Sequence, residues 1–393
     1  MSVESRANTV QPVLDGITVI DFSANAAGPA CSMLLADFGA KVIKIEPPSG
    51  DATRQWGKSR FGQQGQFTGT FLSMNRNKAS VVLDMKSAEG RDTARALIKT
   101  ADVVLQSFLP GVAVRLGLDY EQVSKINPEV IHCSISGFGL NGPLRERPGF
   151  DMLLQAHAGH MAITGEPGQP SVRIGPSSID LLTGAHAAFG ILLAIRHKEQ
   201  SGHGQAIDVS LYDSAVYMVG NHIADYTGSG KAPDKFGSQF ANMAPYGIYQ
   251  AKDREFYLGV SSDDMWQRFC KAIARPDLGT DERFRSNSER LRHREPLLAV
   301  LRPLFREKTA QEWVDLAVEL SIPGSLVHSI PEVTEQEQIA AREMLVDSGV
   351  DGVRVPGIPL KLSKTPGQTR RPAPKLGEDT EDIFKATHSS ATN

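Results

Sequence analysis

Apolar positions fall into two textures along this chain. Short runs rich in β-branched residues read as buried strands: ITVIDF (17–22), KVIKIE (41–46), ASVVLDM (79–85), DVVLQSF (102–108) and EVIHCSI (129–135). Between them lie stretches with helical spacing. In GPACSMLLADFG (28–39) the apolar positions are Cys31, Leu34, Leu35 and Phe38, and Gly39 closes the helix. Pro47 and Pro48 stop the second strand. SAEGRDTARALIKTA (87–101) reads as an amphipathic helix and VAVRLGL (112–118) as a short one. Apolar strands alternating with helices predict an α/β fold with a wound, mostly parallel sheet.

The segment IGPSSIDLLTGAHAAFGILLAIRH (174–197) predicts a long apolar helix ending near Gly202, and QAIDVSL (205–211) a further strand. The texture changes near Tyr226, where TGSGKAPDKFGSQFANMAP (227–245) is a Gly/Pro/Lys-rich connector. YGIYQ and EFYLGV flank Ala251–Arg254 and predict a β-hairpin. DMWQRFCKAIA and AQEWVDLAVEL predict helices, and SIPGSLVHSIPEV (321–333) a return to extended structure. The boundaries follow from these changes: a large α/β domain over 1–227, a smaller α+β domain over 228–330, and a C-terminal segment, 331–393, packing back on the large domain.

Composition narrows the function classes. A chain of 393 residues, 40% hydrophobic and 22% charged, fits a globular protein with a sizeable core. A net charge of −3 predicts no nucleic-acid partner. The N-terminal MSVESRANTVQPVLDG is polar, without a secretory apolar core, and the longest apolar run (187–195) is about half a membrane span, so no membrane partner is expected. Cys31, Cys133 and Cys270 are too few and too scattered for a disulfide framework or a zinc site, which predicts a cytoplasmic setting. The histidines show no metal-ligand spacing, and no metal is expected.

A wound sheet invites a dinucleotide, but the first βα turn, DFSANAAGPA, carries one glycine, Gly28. GSGKAP (228–233) lacks the third glycine and follows no strand. Near GDATRQWGKS the P-loop spacing fails, because Ala52 stands where the motif needs glycine. No G-x-S-x-G elbow and no H-E-x-x-H is present. Asp180, just before the long apolar run, is then the carboxylate to explain. On the local sequence it reads as a helix cap or as a nucleophile. Lys86 and Arg115 taken singly read as solvated cations. His157 and His160 read as structural or interface residues, and Cys133 as buried and inert.

Several segments together are similar to the family III CoA transferases, the formyl-CoA and carnitine-CoA transferase type. They are LDGITVIDFSANAAGPACSMLLADFGAKVIKIEPPSGD (14–51), NRNKASVVLDMK (75–86), ADVVLQSFLPGVAVRLGL (101–118), SISGFGLNGP (134–143), RPGFDMLLQAHAGHMAITGEP (147–167), IDLLTGAHAAFGILLAIRHKEQSGHGQAIDVSLYDS (179–214) and, more weakly, APKLGEDTEDI (373–383). The resemblance implies a homodimer of two interlocked chains. It implies Asp180 as nucleophile, and CoA-binding positions at Ala26 and Ala27, at Leu83 and Lys86, and at Ser107, Phe108, Val112 and Arg115. Leu211 falls beside the pantetheine, and Gly137 and Phe138 near the thioester. The implied partners are an acyl-CoA donor and a carboxylic acid acceptor. CoA thioester enters as substrate, with no permanently bound cofactor.

The chemistry is self-consistent. A carboxylate nucleophile at a helix start, glycine turns near Gly137 and Gly175 to hold an oxyanion, and two cations for the CoA phosphates suit one nucleotide-bearing thioester. Two rivals share the fold. An α-methylacyl-CoA racemase needs an acid/base pair, with histidine after a glycine; here the sequence reads Gly149-Phe150-Asp151, and phenylalanine accepts no proton. A non-catalytic CoA-binding protein has no use for Asp180 in an intact motif. The oxalate-specific members carry a glycine run ending in Gln, where this chain has FANMAPYGIYQ. Ala26 stands where Gln is frequent, and Asp379 where His is usual. These departures point to an acceptor pocket more open or more apolar than in the oxalate enzymes. A dicarboxylate, a hydroxy-acid and an aromatic acid all remain candidates for the acceptor, with succinyl-CoA among the candidate donors.

Overall fold

Six parallel strands carry the site: β1 (Thr18–Asp21), β2 (Lys41–Glu46), β3 (Lys78–Val82), β4 (Val103–Gln106), β5 (Ile131–Ser136) and β6 (Ala206–Ser210). They are seen in a computed structural model that describes residues 11–389. The strand order is β3-β2-β1-β4-β5-β6, and every pairing is parallel. The chain winds outward from β1 to β3 and then returns to β4 on the other side of β1. Ligands bind at such a reversal, outside the C-terminal ends of the strands.

Both faces of the sheet are covered, as parallel sheets require. Val19, Val42, Val103, Ile131 and Ile135 bury one face against α1 (Ala27–Asp37) and the long helix. Ile20, Ile43, Val81 and Val104 bury the other against α2 (Ala88–Lys99). The period-2 alternation explains why each strand reads as a continuous apolar run. Between β4 and β5 comes α3 (Pro110–Leu116), with Pro at its start and Gly117 in the left-handed region at its end. Helix α4 (Asp151–His157) precedes the long helix α5 (Ser178–Ser201), and α6 (Leu211–Met218) follows β6 directly.

Helix α5 packs on α1 at close range. A Cβ on Gly184 would lie 2.6 Å from the Ala27 carbonyl oxygen and 3.1 Å from Ala30 Cβ. Only glycine permits that approach. Ala187, Ala188, Ile191 and Ala194 continue the buried face. At 24 residues, α5 is long and apolar enough by length and composition to cross a membrane. The sequence pattern counts a shorter run because Gly184, His186 and Gly190 interrupt it. Its small-residue face is buried in this unit, while Leu181, Phe189, Leu192 and Leu193 are exposed.

The chain divides into two compact units. The larger comprises the chain up to His160, Arg173–Ala224, and the segment from Glu337 onward; the smaller comprises Met161–Val172 and Asp225–Gln336. The 161–172 excursion has no pattern of its own that would separate it in the sequence; its contacts place it. The smaller unit holds a three-stranded sheet in the order β7 (Tyr246–Gln250), β8 (Glu255–Gly259), β9 (Gly324–Leu326), all antiparallel. Its core is aromatic, with Phe256 stacked on Trp313 at 6.2 Å. The extended reading of 321–333 holds only for β9: Ile330–Thr334 is helical, held by a capping box between Ser329 and Glu332.

After β10 (Leu345–Val350) and β11 (Val353–Pro356), an antiparallel pair, the C-terminal segment clasps the large unit. Asp379 accepts Ser80 N–H at 2.8 Å and Arg371 Nη1 at 2.9 Å. Asn77 Nδ2 donates to Gln368 O at 2.8 Å. The polar N-terminal stretch lies largely in residues 1–10, outside the described residues.

Candidate active site

At the strand reversal lies a cavity of about 240 Å³. Its walls come from the turn after β1, the end of β4 at Ser107, the end of β5 at Ser136 and Gly137, the start of α4, the start of α5 and Leu211. Asp180 opens into it. Five other residues that the sequence names join it there: Ala26, Ala27, Ser107, Gly137 and Leu211.

Asp180 is not the cap of α5. The N-cap is Ser177, which makes no side-chain cap bond, and Asp180 is the third residue of the helix. The cap comes from another helix: Asp151 Oδ2 accepts Ile179 N–H at 2.8 Å and Asp180 N–H at 3.2 Å. Gln155 Nε2 donates to Asp151 Oδ1 at 2.5 Å, and its Oε1 accepts Ile174 N–H at 2.8 Å. The capping work is therefore done by Asp151, held at a fixed angle by Gln155. Among the described residues, no donor makes a hydrogen bond to the Asp180 carboxylate. Burial first, and then the neighbouring Asp151 carboxylate, push the Asp180 carboxyl up to about 7. A side chain expected to be fully ionised at neutral pH is thus poised near half-protonation, and its anion is poorly solvated and more reactive.

The turn after β1 is rigid. Asp21 Oδ1 accepts both N–H and Oγ–H of Ser23, and Asp21 Oδ2 accepts Ser32 Oγ–H at 2.5 Å. Lys44 Nζ donates to Ser23 O at 2.9 Å and pairs with Asp51 at 2.8 Å. Lys78 Nζ donates to Pro29 O at 2.8 Å and Asn75 Oδ1 at 2.9 Å; burial pulls this amine down to about 7, against the opposing effect of Asp21. Asn25 sits in the left-handed region at φ 68°. A Cβ on Gly28 would lie 2.1 Å from Ser23 Oγ. The turn delivers the start of α1, whose N-cap Ala26 has no capping side chain, into the cavity. Uncapped N–H groups and a positive helix end are suited to an oxyanion forming beside Asp180. Gly137 reaches the same wall because it packs on Gly149, with no room for a Cβ on either. Gly175 does not line the cavity.

A second cavity adjoins the first, with Ala24 lining both. Leu83, Lys86 and Phe108 line it, together with the buried Lys44 and with Asp84. Lys86 is exposed at its rim, free to meet a phosphate. Val112, Arg115 and Phe138 line neither cavity. Arg115 is exposed in the last turn of α3. Phe138 is buried and packs edge-on to His157 at 5.2 Å and against Tyr212 at 5.8 Å. His160 is buried, its Nε2 donating to Ala215 O at 2.9 Å. Asp379, where the resemblance leads one to expect histidine, belongs to the C-terminal clasp. Burial drives the Cys133 and Cys270 thiols up to about 12, and Cys31 rises as well.

Four residues of the first cavity carry weight that the sequence did not disclose. Asp151 is invisible as a cap because 29 residues separate it from Asp180. Trp56, Met152 and Asn25 line the cavity from loops or helix starts without a local signal. Phe150, singled out for what it cannot do, lines it too.

Comparison with known proteins fits this geometry. The family model described as CoA-transferase family III matches residues 14–380. The chain is 38% identical to an acetyl-CoA:oxalate CoA-transferase of Acetobacter aceti, covering 94% of this chain and 95% of that protein. It is 35% identical to a succinate–glutarate CoA-transferase of Agrobacterium fabrum, covering 95% of each. Among solved structures, a CAIB/BAIF family protein of Brucella suis superposes with a TM-score of 0.88 at 33% identity, over 96% of this chain and all of that one. The chain is a CoA-transferase enzyme by descent, acting on CoA thioesters and carboxylates, and it belongs to CoA-transferase family III.

Proposed function

We propose that the enzyme moves CoA from an acyl-CoA to a free carboxylic acid through covalent intermediates on Asp180. The observation that carries this is the division of labour between two carboxylates: Asp151 caps α5, and the half-buried carboxylate of Asp180, without a hydrogen bond among the described residues, faces the cavity. The Asp180 carboxylate attacks the thioester carbonyl; the C–S bond breaks, CoA leaves as thiolate, and an acyl-aspartyl anhydride forms. The thiolate then attacks the aspartyl carbonyl, giving an aspartyl-CoA thioester and releasing the donor acid. The acceptor carboxylate attacks that thioester, forming a new anhydride and freeing the thiolate, which takes the acceptor's acyl carbon and regenerates Asp180. No proton or electron need be supplied, and each step exchanges one activated acyl group for another.

In this reading the start of α1 and Gly137 hold the oxyanions, and the second cavity with Lys86 takes part of the CoA. Val112 and Arg115 on α3, and Phe138 behind the Gly137 wall, then act beyond the cavities themselves. Phe150 has no ionisable group at the cavity, which speaks against proton abstraction from an α-carbon.

The proposal includes a homodimer, interlocked as the family resemblance implies. The exposed Leu181, Phe189, Leu192 and Leu193 on α5 and Tyr217 on α6 support an apolar interface with a second copy. A cytoplasmic setting goes with it. The test is Asp180→Ala, which should abolish transfer while CoA binding, followed by calorimetry, persists; full transfer in that variant would overturn the reading.

A further inference from the structure

We propose that Lys78 is a positioning residue for CoA transfer: bonded to the first turn of α1, it fixes the start of that helix in the place where an oxyanion forms beside Asp180. This rests on the reading in which the start of α1 holds the oxyanions, and it names the buried group that keeps it there.

The segment 75–78, whose last residue opens β3, holds α1 at both ends. At the far end Arg76 makes a two-point contact with Asp37, Nε at 2.9 Å and Nη2 at 2.7 Å, and Asn77 Nδ2 adds a third bond at 2.8 Å. At the near end Lys78 Nζ donates to Pro29 O at 2.8 Å. It also donates to Asn75 Oδ1 at 2.9 Å and lies 3.8 Å from Asp21 Oδ2. Asn75 Nδ2 is itself bonded to Phe71 O at 3.0 Å. The side chains of Asn75, Arg76, Asn77 and Lys78 are buried, and the partners named here lie in the larger unit of one chain. A second copy docking on the outside leaves these contacts as they are.

A precise hold matters because the first turn has few donors to give. Pro29, the third residue, has no N–H, and Ala30 N–H is taken by Ala26 O at 2.9 Å. The donors that the turn can offer an oxyanion are therefore those of Ala27 and Gly28. Buried ammonium groups fix the carbonyls on both sides of them: Lys44 at Ser23 O, 2.9 Å away, and Lys78 at Pro29 O. Asp21 ties the two sides together by accepting from Ser23 and Ser32. Burial pulls the Lys78 ammonium down to about 7, an unfavourable placement that an apolar side chain would avoid. Stability alone does not call for a lysine here; a fixed and positively charged backing to the helix start does.

The experiment is self-exchange on the full chain, with label entry into the thioester followed by mass spectrometry. Isotope-labelled acetate, succinate, glutarate and 3-phenylpropionate are each paired with their own unlabelled CoA thioester, and the fastest pair is used for kinetics. Lys78→Met is compared with the unaltered enzyme, and both are unfolded in denaturant. The proposal expects kcat to fall on the order of 10²-fold, with KM for the thioester within about threefold. The unfolding midpoint should be unchanged or higher. An unchanged kcat, or a loss that only follows a lowered midpoint, overturns the positioning role and leaves CoA transfer through Asp180 standing. If Lys78→Met does not fold, Asp21→Asn combined with Lys78→Met removes the buried pair of charges together and must show the same split. Failure of both to fold overturns the proposal, since the residue is then structural. Full exchange by Asp180→Ala in the same assay overturns the covalent reading instead. Exchange with none of the four acids by the unaltered enzyme overturns both.

Discussion

Asp151 Oδ2 accepts the backbone N–H of Asp180 at 3.2 Å, so the two carboxylates meet through the main chain while their side chains serve different ends. One satisfies the start of a helix, and the other, among the described residues, is left without a hydrogen bond beside a cavity. The arrangement also places a negative charge near Asp180, which adds to burial in raising its pKa.

That charge can be removed without removing the cap. Asn at 151 keeps an oxygen to accept the N–H groups of Ile179 and Asp180. Asp151→Asn should therefore shift the alkaline-rising limb of the kcat/KM profile to lower pH. The limb should stay above the ordinary carboxylate range, since burial is the larger cause. A limb that does not move would show that Asp151 acts on Asp180 through geometry alone.

The unaltered enzyme has its own profile. In the proposed mechanism the ionised Asp180 carboxylate is the attacking form, so kcat/KM should rise through about pH 7 and level off above it. Steady-state rates between pH 5 and 9 check this. A flat profile across that range would place the Asp180 pKa well below the position given by its burial.

Stability should show the cost of the same arrangement. Asp180 binds a proton more tightly folded than unfolded, its pKa rising from 3.8 to about 7. Between those values the unfolded chain holds fewer protons, so this group's contribution to stability falls as pH rises and is flat above about 7. Asp180→Asn should stabilise the protein by about 1–3 kcal/mol at pH 8, as active-site replacements often do. Denaturant titration should show the gain shrinking towards pH 4, where the native carboxyl is protonated. A gain independent of pH would point to a cause other than ionisation.

Gly184 sets the distance between α1 and α5. The Cβ of Gly184→Ala would lie 2.6 Å from the Ala27 carbonyl oxygen, a backbone atom that cannot swing aside. The helices must part, which should cost about 1–3 kcal/mol in stability and, by moving Asp180 relative to the start of α1, on the order of 10²-fold in kcat. Chemical denaturation and steady-state kinetics on the same preparation separate the two effects.

Much of the fold, and several residues of the candidate cavity, are legible in the sequence, for identifiable reasons. The strands of the parallel sheet are buried on both sides, so Val19–Ile20 and Val103–Val104 read as apolar runs. Asp180 stands out because a lone carboxylate interrupts small and apolar residues. What stays hidden depends on contacts between distant parts of the chain. The cap from Asp151 and the Gly137–Gly149 contact have no local signature, and neither does the inclusion of 161–172 in the smaller unit. Reading Asp180 as a cap is sound local physics, and a side chain from another helix displaces it.

The most direct test of the account is to catch CoA on the enzyme. The protein is incubated with an acyl-CoA that it turns over, treated with borohydride, and digested for mass spectrometry of the peptide containing Asp180. Reduction of the aspartyl thioester to the alcohol is expected at Asp180 alone, dependent on acyl-CoA and absent when hydroxylamine is added before the borohydride. An unmodified Asp180 peptide under conditions of full turnover would contradict it.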